Sequence, residues 1–543
     1  MANLERSDGV WVALTNPAFR SLWLGSVALN ITIWMHSVAA AWLMVSLTTS
    51  PLMVALIQTA SALPSFIFAL PSGVMADLVD RRRYLLVIVG FMVVTAAVLC
   101  VFSFAGGMGA WMLLLLTFCL GVGFALQGPA WYTAQTDVVS RQQLPSALAL
   151  SAVSYSSARA VGPALSGVVV SSAGVGAVFV TSAALLLAAL YSLLRWDSPK
   201  RSSHLPPENL VSGMRSALRY TRHSEVVKVQ ILRTVSFVGV ASALWALLPL
   251  IAGEQLKSGA GGYGILLASI GAGSVAGALL IPKLKDVMEM NRMMALSTFV
   301  YGSATIVAAY VPNLVVVCIV LFLSGIGWIG VGNTNMLALQ SAVPGWVRAR
   351  TLSVYMLVFQ GAMAAGSALW GAVAAKAGTS HTLLASGLLM AGVLLVMNKF
   401  PARIGEEAEA TESADVLHAE FVAESVPSDA PVAVQIVYKV SAENRTEFLR
   451  QLYVVGNARR RNGASFWRVY RDTEDQQSYV ERFLIDSWNQ YLRQRSRATI
   501  ADQEAERRLH TMHLAAEPPV ISHYVAEPCP QTPKPCDVQK IRV

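Results

Sequence analysis

The chain has 543 residues, of which 55% are hydrophobic and 13% charged, and a mean hydropathy of +0.52, so it is too apolar to be a string of soluble domains and reads as a polytopic membrane protein. Its net charge of +9 would suggest a nucleic-acid partner in a soluble protein. Here the basic residues are not interleaved with aromatics on one face, which argues against nucleic acid and for cations held on one side of a bilayer.

About twelve apolar runs, each near 20 residues and long enough to cross a bilayer as a helix, precede Phe400. They cover 22–47, 52–76, 84–105, 111–132, 147–172, 175–194, 229–251, 263–281, 293–310, 314–337, 352–375 and 383–400. The turns between them divide by charge. One set holds Arg81 to Arg83, Arg141, the stretch Arg195 to Lys228, Lys283 with Lys285, and Arg348 with Arg350, whereas SLTTSP, SFAGGMGA, SSAGVG and YVPN carry no charge and only Lys257 and Lys376 break the pattern elsewhere. The positive-inside rule then puts both termini in the cytoplasm and requires an even number of spans. The opening MANLERSD has no basic n-region with a small-residue cleavage site, so no cleaved signal peptide is expected. Cys100, Cys119 and Cys318 lie in apolar runs and Cys529 and Cys536 in a Pro-rich tail; neither set has metal-ligand spacing, and no metal or cofactor is expected.

The long loop splits the spans six and six, giving an N-terminal bundle (1–194), a linker (195–228) and a C-terminal bundle (229–400). In the linker Arg215, Arg219 and Arg222 recur at helical spacing opposite Met214 and Leu218, which predicts an amphipathic helix on the membrane surface. GPALSG, Gly162 to Gly167 in the fifth span, is echoed by GSALWG, Gly366 to Gly371, at the matching place in the eleventh. Two related six-span halves are the plan of rocking-type secondary transporters.

The densest charge of the first half is SGVMADLVDRRR, between the second and third spans. Gly73 allows two helix backbones to approach, Asp77 can bond exposed helix-end amides, and Arg81, Arg82 and Arg83 after Asp80 need carboxylates or lipid phosphates as partners. In ARAVGPALSG, Gly162, Pro163 and Gly167 remove bulk and bend the helix, so that a neighbour can pack tightly. Arg159 is a guanidinium several residues inside an apolar span and must face protein or water. It could hold an anionic substrate, pin carbonyls of a broken helix, or snorkel. Arg233, near the start of the seventh span, reads as an interface residue.

Asn30, Gln58, Gln127, Asn333, Asn335 and Gln360 supply uncharged donors and acceptors at membrane depth, and His36 a titratable ring. Trp34, Trp42, Trp131, Trp245, Trp328 and Trp370 supply flat apolar surface. With Arg159 they outline a cavity for large amphipathic, partly aromatic molecules, although such residues also glue helices together or form interfacial belts. The spans contain no central Asp or Glu, which leaves proton coupling open; the nearest carboxylates are Asp77, Asp137 and Glu254. Asp137, at the cytoplasmic end of the fourth span, is expected to pair with Arg81 or Arg82 as a latch closing the inner side.

After Pro401 the composition changes. An acidic linker (401–431) leads to a compact segment (432–526) and a disordered tail (527–543). The segment reads as strand Val432 to Val440, helix Ala442 to Arg461, strands Ser465 to Arg471 and Tyr479 to Ile485 about DTEDQQ, helix Ser487 to Met512 and strand Val520 to Val525. The order β-α-β-β-α-β is ferredoxin-like.

At Gly73, Asp77, Asp80, Arg81 and Arg82 the chain resembles the major facilitator superfamily, whose loop between the second and third spans reads Gly-x-x-x-Asp-x-x-Gly-Arg-Arg. Asp80 stands for the second Gly, as in the enterobactin-exporter-like branch of drug and siderophore exporters. ARAVGPALSG resembles that superfamily's antiporter motif. RRRNGASFWRVYRD and YVERFLIDSWNQYLRQRSRATIADQE resemble the cytoplasmic tail domain of bacterial transmembrane secretion effectors. The resemblance implies an all-α polytopic membrane protein of the major facilitator fold, with two six-helix bundles and a small C-terminal α+β domain in the cytoplasm. It further implies a secondary active exporter in the bacterial inner membrane, moving a hydrophobic or amphipathic drug, siderophore or secondary metabolite by alternating access, with a proton as the candidate coupling ion. The tail's likeness to dimeric antibiotic-biosynthesis monooxygenases implies a homodimer through that domain. It also gives an enzyme-class alternative, with Trp467, Tyr470 and His510 lining a pocket that no flavin, haem or metal motif accompanies. An importer or sensor of the same fold is the other alternative.

Overall fold

The computed structural model describes residues 11–527 apart from 79, 141, 197–217, 286, 403–410, 412–429 and 516. The start of the expected linker helix with Met214 and Arg215, nearly all of the acidic linker, and the tail with Cys529 and Cys536 thus lie outside the described residues, whereas Leu218, Arg219 and Arg222 fall in a helical segment over 218–223. The chain forms two compact units, one from 1–206, 229–336 and 353–402, the other from 207–228, 337–352 and 403–543.

Eleven helices among the described residues are long and apolar enough to cross a membrane. The first four are α1 (Pro17–Leu47), α2 (Pro51–Leu78), α3 (Arg81–Phe104) and α4 (Ala110–Asp137). The fifth, Leu144–Leu194, has 51 residues, roughly 75 Å at about 1.5 Å per residue against a hydrocarbon core of about 30 Å. It cannot be a single pass. Gly174, with φ 82° and ψ 171°, takes a conformation open to glycine and divides it into α5 (144–173) and α6 (175–194).

Contacts with α1 show that the chain reverses at Gly174. Along α5 the partners advance together: Trp23 Nε1 donates to Leu150 O at 2.9 Å, Asn30 Nδ2 to Ser154 Oγ at 3.0 Å, and Ser166 Oγ to Met35 O at 3.0 Å. Along α6 they run oppositely, with the His36 and Phe179 rings 5.8 Å apart near its start and Gly25 against Ser192 near its end. With α6 counted separately, the described residues hold twelve candidate spans. The remaining helices are α7 (Glu225–Leu250), α8 (Gly259–Lys285), α9 (Met290–Tyr310), α10 (Leu314–Ala342), α11 (Gly345–Ala377) and α12 (Thr379–Lys399).

The echo between the fifth and eleventh spans has a structural counterpart. A methyl carbon placed on Gly162 of α5 would lie 2.7 Å from Trp34 Cβ of α1, and one on Gly366 of α11 would lie 2.7 Å from Gly239 O of α7. One on Gly167 would meet Gly264 of α8 at 2.9 Å, and one on Gly371 would meet Leu52 of α2 at 3.3 Å. Adding or subtracting six from each helix number turns the first pair of contacts into the second. The small residues therefore serve the same seams in the two halves, α5 against α8 and α11 against α2, where only backbones without side-chain bulk can approach so closely.

Arg233, expected at the interface, turns inward to protein near a span end. It is fully buried, with Nη1 donating to Phe400 O at 2.9 Å and Asn291 Oδ1 at 3.2 Å. Asn291 in turn donates from Nδ2 to Ala402 O and accepts at Oδ1 from Ala402 N. The last carbonyls of α12 have no partner within the helix, and the guanidinium supplies one.

In the second unit, β1 (Val432–Lys439), α13 (Arg445–Asn462), β2 (Phe466–Arg471), β3 (Ser478–Ile485), α14 (Trp488–Ser496), α15 (Ile500–Thr511) and β4 (Val520–Val525) follow in order. The sheet order is β2-β3-β1-β4 with every neighbour antiparallel. Where a single helix was expected over 487–512 there are two, because the Thr499 hydroxyl and Asp502 form a capping box that starts α15 afresh. The core holds a fully buried carboxylate, Glu481. It accepts from Trp467 Nε1 at 2.8 Å and Tyr438 Oη at 3.2 Å. Arg459 lies beside it and pairs with Glu506 at 2.6 Å. Burial and the neighbouring Glu481 carboxylate push the Tyr438 hydroxyl well above its ordinary pKa.

Trp467, Tyr470 and His510, expected around a tail pocket, do not share one face. Trp467 is buried under the helices, whereas Tyr470, three residues on and so on the other face of the strand, is exposed, as is His510. The same unit contains the helical segment 218–223 and the turn between α10 and α11. Arg497 sits 4.1 Å from the Trp346 ring, Trp346 meets Tyr220 edge to face at 6.0 Å, and Arg461 lies 5.6 Å from the Tyr220 ring.

Candidate functional site

A cavity of about 380 Å³ opens between the two six-helix halves of the first unit. The N-terminal half lines it with Trp34 and His36 of α1, Gln58 of α2, Phe124 of α4, and Tyr155 and Arg159 of α5. The C-terminal half adds Trp245 of α7, Trp328 of α10, and Phe359 and Gln360 of α11. Among the described residues Arg159 is the one charged side chain in the lining. Its guanidinium carbon lies 5.5 Å from the Trp34 ring and 5.7 Å from the Trp245 ring, which come from the equivalent helices α1 and α7. A cation against an indole face is attracted by the ring quadrupole, by about 2 kcal/mol or more where water is excluded. Trp328 extends the aromatic wall, 5.5 Å from Trp245 and 6.0 Å from Phe359 between ring centres.

Of the residues singled out in the sequence, Trp34, His36, Gln58, Arg159 and Gln360 come together here, with Trp245 and Trp328. Asn30, Gln127, Asn333 and Asn335 do not. Asn30 bonds Ser154, Asn335 lies 3.5 Å from the Thr234 hydroxyl, Gln127 is buried and Asn333 is exposed. Trp131 and Trp370 donate to the carbonyls of Leu22 and Gly239 and so join helices. Sequence reasoning missed Tyr155, Phe124 and Phe359. Tyr155 was within reach, since it stands four residues before Arg159 on the same helix face, and Phe359 adjoins Gln360. No group of three metal-ligating side chains forms among the described residues.

At the charged end of the N-terminal half, Asp80 caps α3, its carboxylate accepting from Arg83 N at 2.9 Å. Arg81 forms an ion pair with Asp137, the last residue of α4. Arg82 donates to Leu194 O at 2.6 Å, the end of α6. Both members of the ion pair belong to the N-terminal half, so it joins α3 to α4 and not one half to the other. Nearby, Asn16 caps α1 and donates to Val138 O at 2.6 Å, just beyond Asp137. Gly73 and Asp77 fall within α2, but their side-chain environment lies outside the described residues. In the fifth span, Gly162 and Pro163 are buried, and Gly162 and Gly167 form the contacts with α1 and α8 described above.

The family model described as transmembrane secretion effector matches residues 8–531. Curated relatives include enterobactin exporters of Escherichia coli O1:K1 / APEC and of Shigella boydii serotype 18, each 26% identical over 392 residues, which are 70% of this chain and 92% of the relative. Among solved structures, a bacterial homologue of the human lysosomal transporter Spinster, inward-facing and unoccupied, superposes with TM-score 0.58 at 15% identity over 71% of this chain and 97% of its own. The nucleoside transporter NupG superposes with TM-score 0.58 at 11% identity over 71% of this chain and 100% of its own. A POT family transporter in complex with 5-aminolevulinic acid gives 0.60 at 12% identity over 72% and 97%. At such identities the likeness is one of fold. Since the family match runs through both helical halves and the C-terminal domain, the chain belongs to the transmembrane secretion effector family of the major facilitator superfamily, and its relatives are transporters, not enzymes.

Proposed function

We propose that this protein is a secondary active exporter of amphipathic small molecules that works by alternating access in the bacterial inner membrane, with both termini in the cytoplasm. The observation that carries this reading is the cavity shared by the two halves, lined from the equivalent helices α1 and α7 and flanked by glycine seams at α5–α8 and α2–α11. Two bodies that meet on small-residue seams about one central site can rock without unpacking. The role of the curated relatives, enterobactin export, makes siderophores the first compounds to try.

At the inner rim, the Arg81–Asp137 pair and the Arg82–Leu194 bond hold the ends of α3, α4 and α6 together, and we assign them the positioning of the gate there. The C-terminal domain, with the strand order of a ferredoxin-like fold, serves regulation or assembly. Supporting regulation, its unit includes the turn between α10 and α11. Supporting a homodimer, Tyr470, Val520 and Tyr524 are exposed on the sheet face away from the helices.

The test is flux in reconstituted vesicles, using a labelled siderophore and an amphipathic dye, with and without a pH gradient. Outward-directed, saturable movement that Asp137→Asn slows is the expected result, and dependence on the gradient would identify the proton as coupling ion. Net uptake into cells expressing the protein would overturn export.

A further inference from the structure

Arg159 presents a cation to the central cavity, and no described residue of the lining carries the opposite charge. Among the described residues no carboxylate lines the cavity, Arg159 Nε is buried without a hydrogen-bond partner, and the guanidinium's close neighbours are the Trp34 and Trp245 rings. Leaving a buried guanidinium donor unpaired is costly, and the group carries five N–H donors and no acceptor. The guanidinium carbon sits over both indole rings, and the terminal N–H edges are the donors that a ligand in the cavity can reach. Those edges form a fork that fits two oxygens lying in one plane. Beside them, Trp328 and Phe359 continue the aromatic wall, a surface that suits a flat ring system.

We propose that the cavity selects planar aromatic carboxylates, with the two carboxylate oxygens on the in-plane N–H edge of Arg159 and the ring against Trp245 and Trp328. This rests on the export reading and adds a substrate class to it: the bound molecule supplies the counter-charge that the described lining lacks. The cation and its two indoles come from α5, α1 and α7, so both halves contribute to the anion site. A neutral molecule of the same shape finds the wall but leaves the guanidinium unpaired.

The experiment uses the full chain in nanodiscs and isothermal titration calorimetry with 2-naphthoate, its neutral amide 2-naphthamide, and a naphthyl trimethylammonium cation. The naphthoate is expected to bind at least tenfold more tightly than the amide, and the cation not at all. Arg159→Gln should abolish that preference while leaving the amide within about threefold, and Arg159→Lys, which keeps the charge and loses the fork, should retain part of it. Equal affinity of the unaltered protein for naphthoate and naphthamide overturns the proposal, as does a preference that survives Arg159→Gln. Because the ligand comparison is made on the unaltered protein, it decides the matter even if Arg159→Gln does not accumulate. Binding and flux separate the two claims: naphthoate bound selectively but never moved in vesicles sinks export and leaves the anion site standing, whereas flux indifferent to charge does the reverse.

Discussion

Gly167 of α5 and Gly264 of α8 meet backbone to backbone: a methyl carbon on Gly264 would lie 2.7 Å from Gly167 Cα and 2.8 Å from Pro163 O. Neither atom can swing aside as the end of a flexible side chain could. Gly264→Val should therefore force the seam apart, lowering stability by about 1–3 kcal/mol and stopping most flux, and Gly371→Val should do the same at the equivalent seam with α2. Thermal unfolding and vesicle flux measure the two effects. Full flux in Gly264→Val would mean that the seam need not stay closed during transport.

Arg81 is the first residue of α3 and Asp137 the last of α4, so each charge stands at the helix end whose dipole disfavours it. Exchanging them, Arg81→Asp with Asp137→Arg, keeps the pair and reverses both unfavourable terms. The double variant is expected to be more stable by about 0.5–2 kcal/mol, while Asp137→Asn alone slows flux severalfold. If Asp137→Asn transports at the unaltered rate, the pair has no part in gating.

Removing the Arg233 side chain takes its donor from Phe400 O and leaves Asn291 Oδ1 with Ala402 N alone. Arg233→Met should destabilise by about 1–3 kcal/mol, and adding Asn291→Ala should cost less than the sum of the two single changes because they share a network. Thermal unfolding of the unaltered protein, both single variants and the double variant gives the comparison. Additive losses would show that the two residues act separately.

In the C-terminal domain, the Tyr491 hydroxyl and His523 Nε2 are 2.7 Å apart. Burial, with the Arg495 charge adding to it, holds His523 below its ordinary value of 6.5, and burial outweighs Glu506 to do the same at His510. As pH falls through about 6.5 the unfolded chain takes up protons before the folded one, so stability is lost on acidification and is fully present above that range. Hydrogen-exchange protection of β1 and β4, corrected for the intrinsic exchange rate at each pH, should fall between about pH 7 and about pH 5, and His523→Gln should flatten the trend. Greater protection at the acid end would contradict this.

The spans can be read from the sequence because a helix in lipid must be apolar for about 20 residues, and the 162–167 and 366–371 echo because equivalent seams demand equivalent small residues. Hydropathy, however, reports depth and not direction. Asn30 and Asn335 lie within spans yet face neighbouring helices, where a polar group finds a bond. Arg233, near a span end, had the sequence of a snorkelling side chain, since its partners at 291 and 400 are far away along the chain. The break before α15 was written in Thr499 and Asp502, a Thr-x-x-Asp pair whose capping geometry outweighs the helical propensity of the residues around it.

The second unit gathers 207–228, 337–352 and everything from 403 onward, and this sets an order of events during synthesis. Trp346 and Tyr220 leave the ribosome long before Arg497 and Arg461 exist to cover them. With about 150 residues between Trp346 and Arg497, made at about 5–20 residues per second, the two aromatic rings wait on the order of ten seconds. The last part of the chain to be translated thus completes surfaces that the earlier parts have left bare.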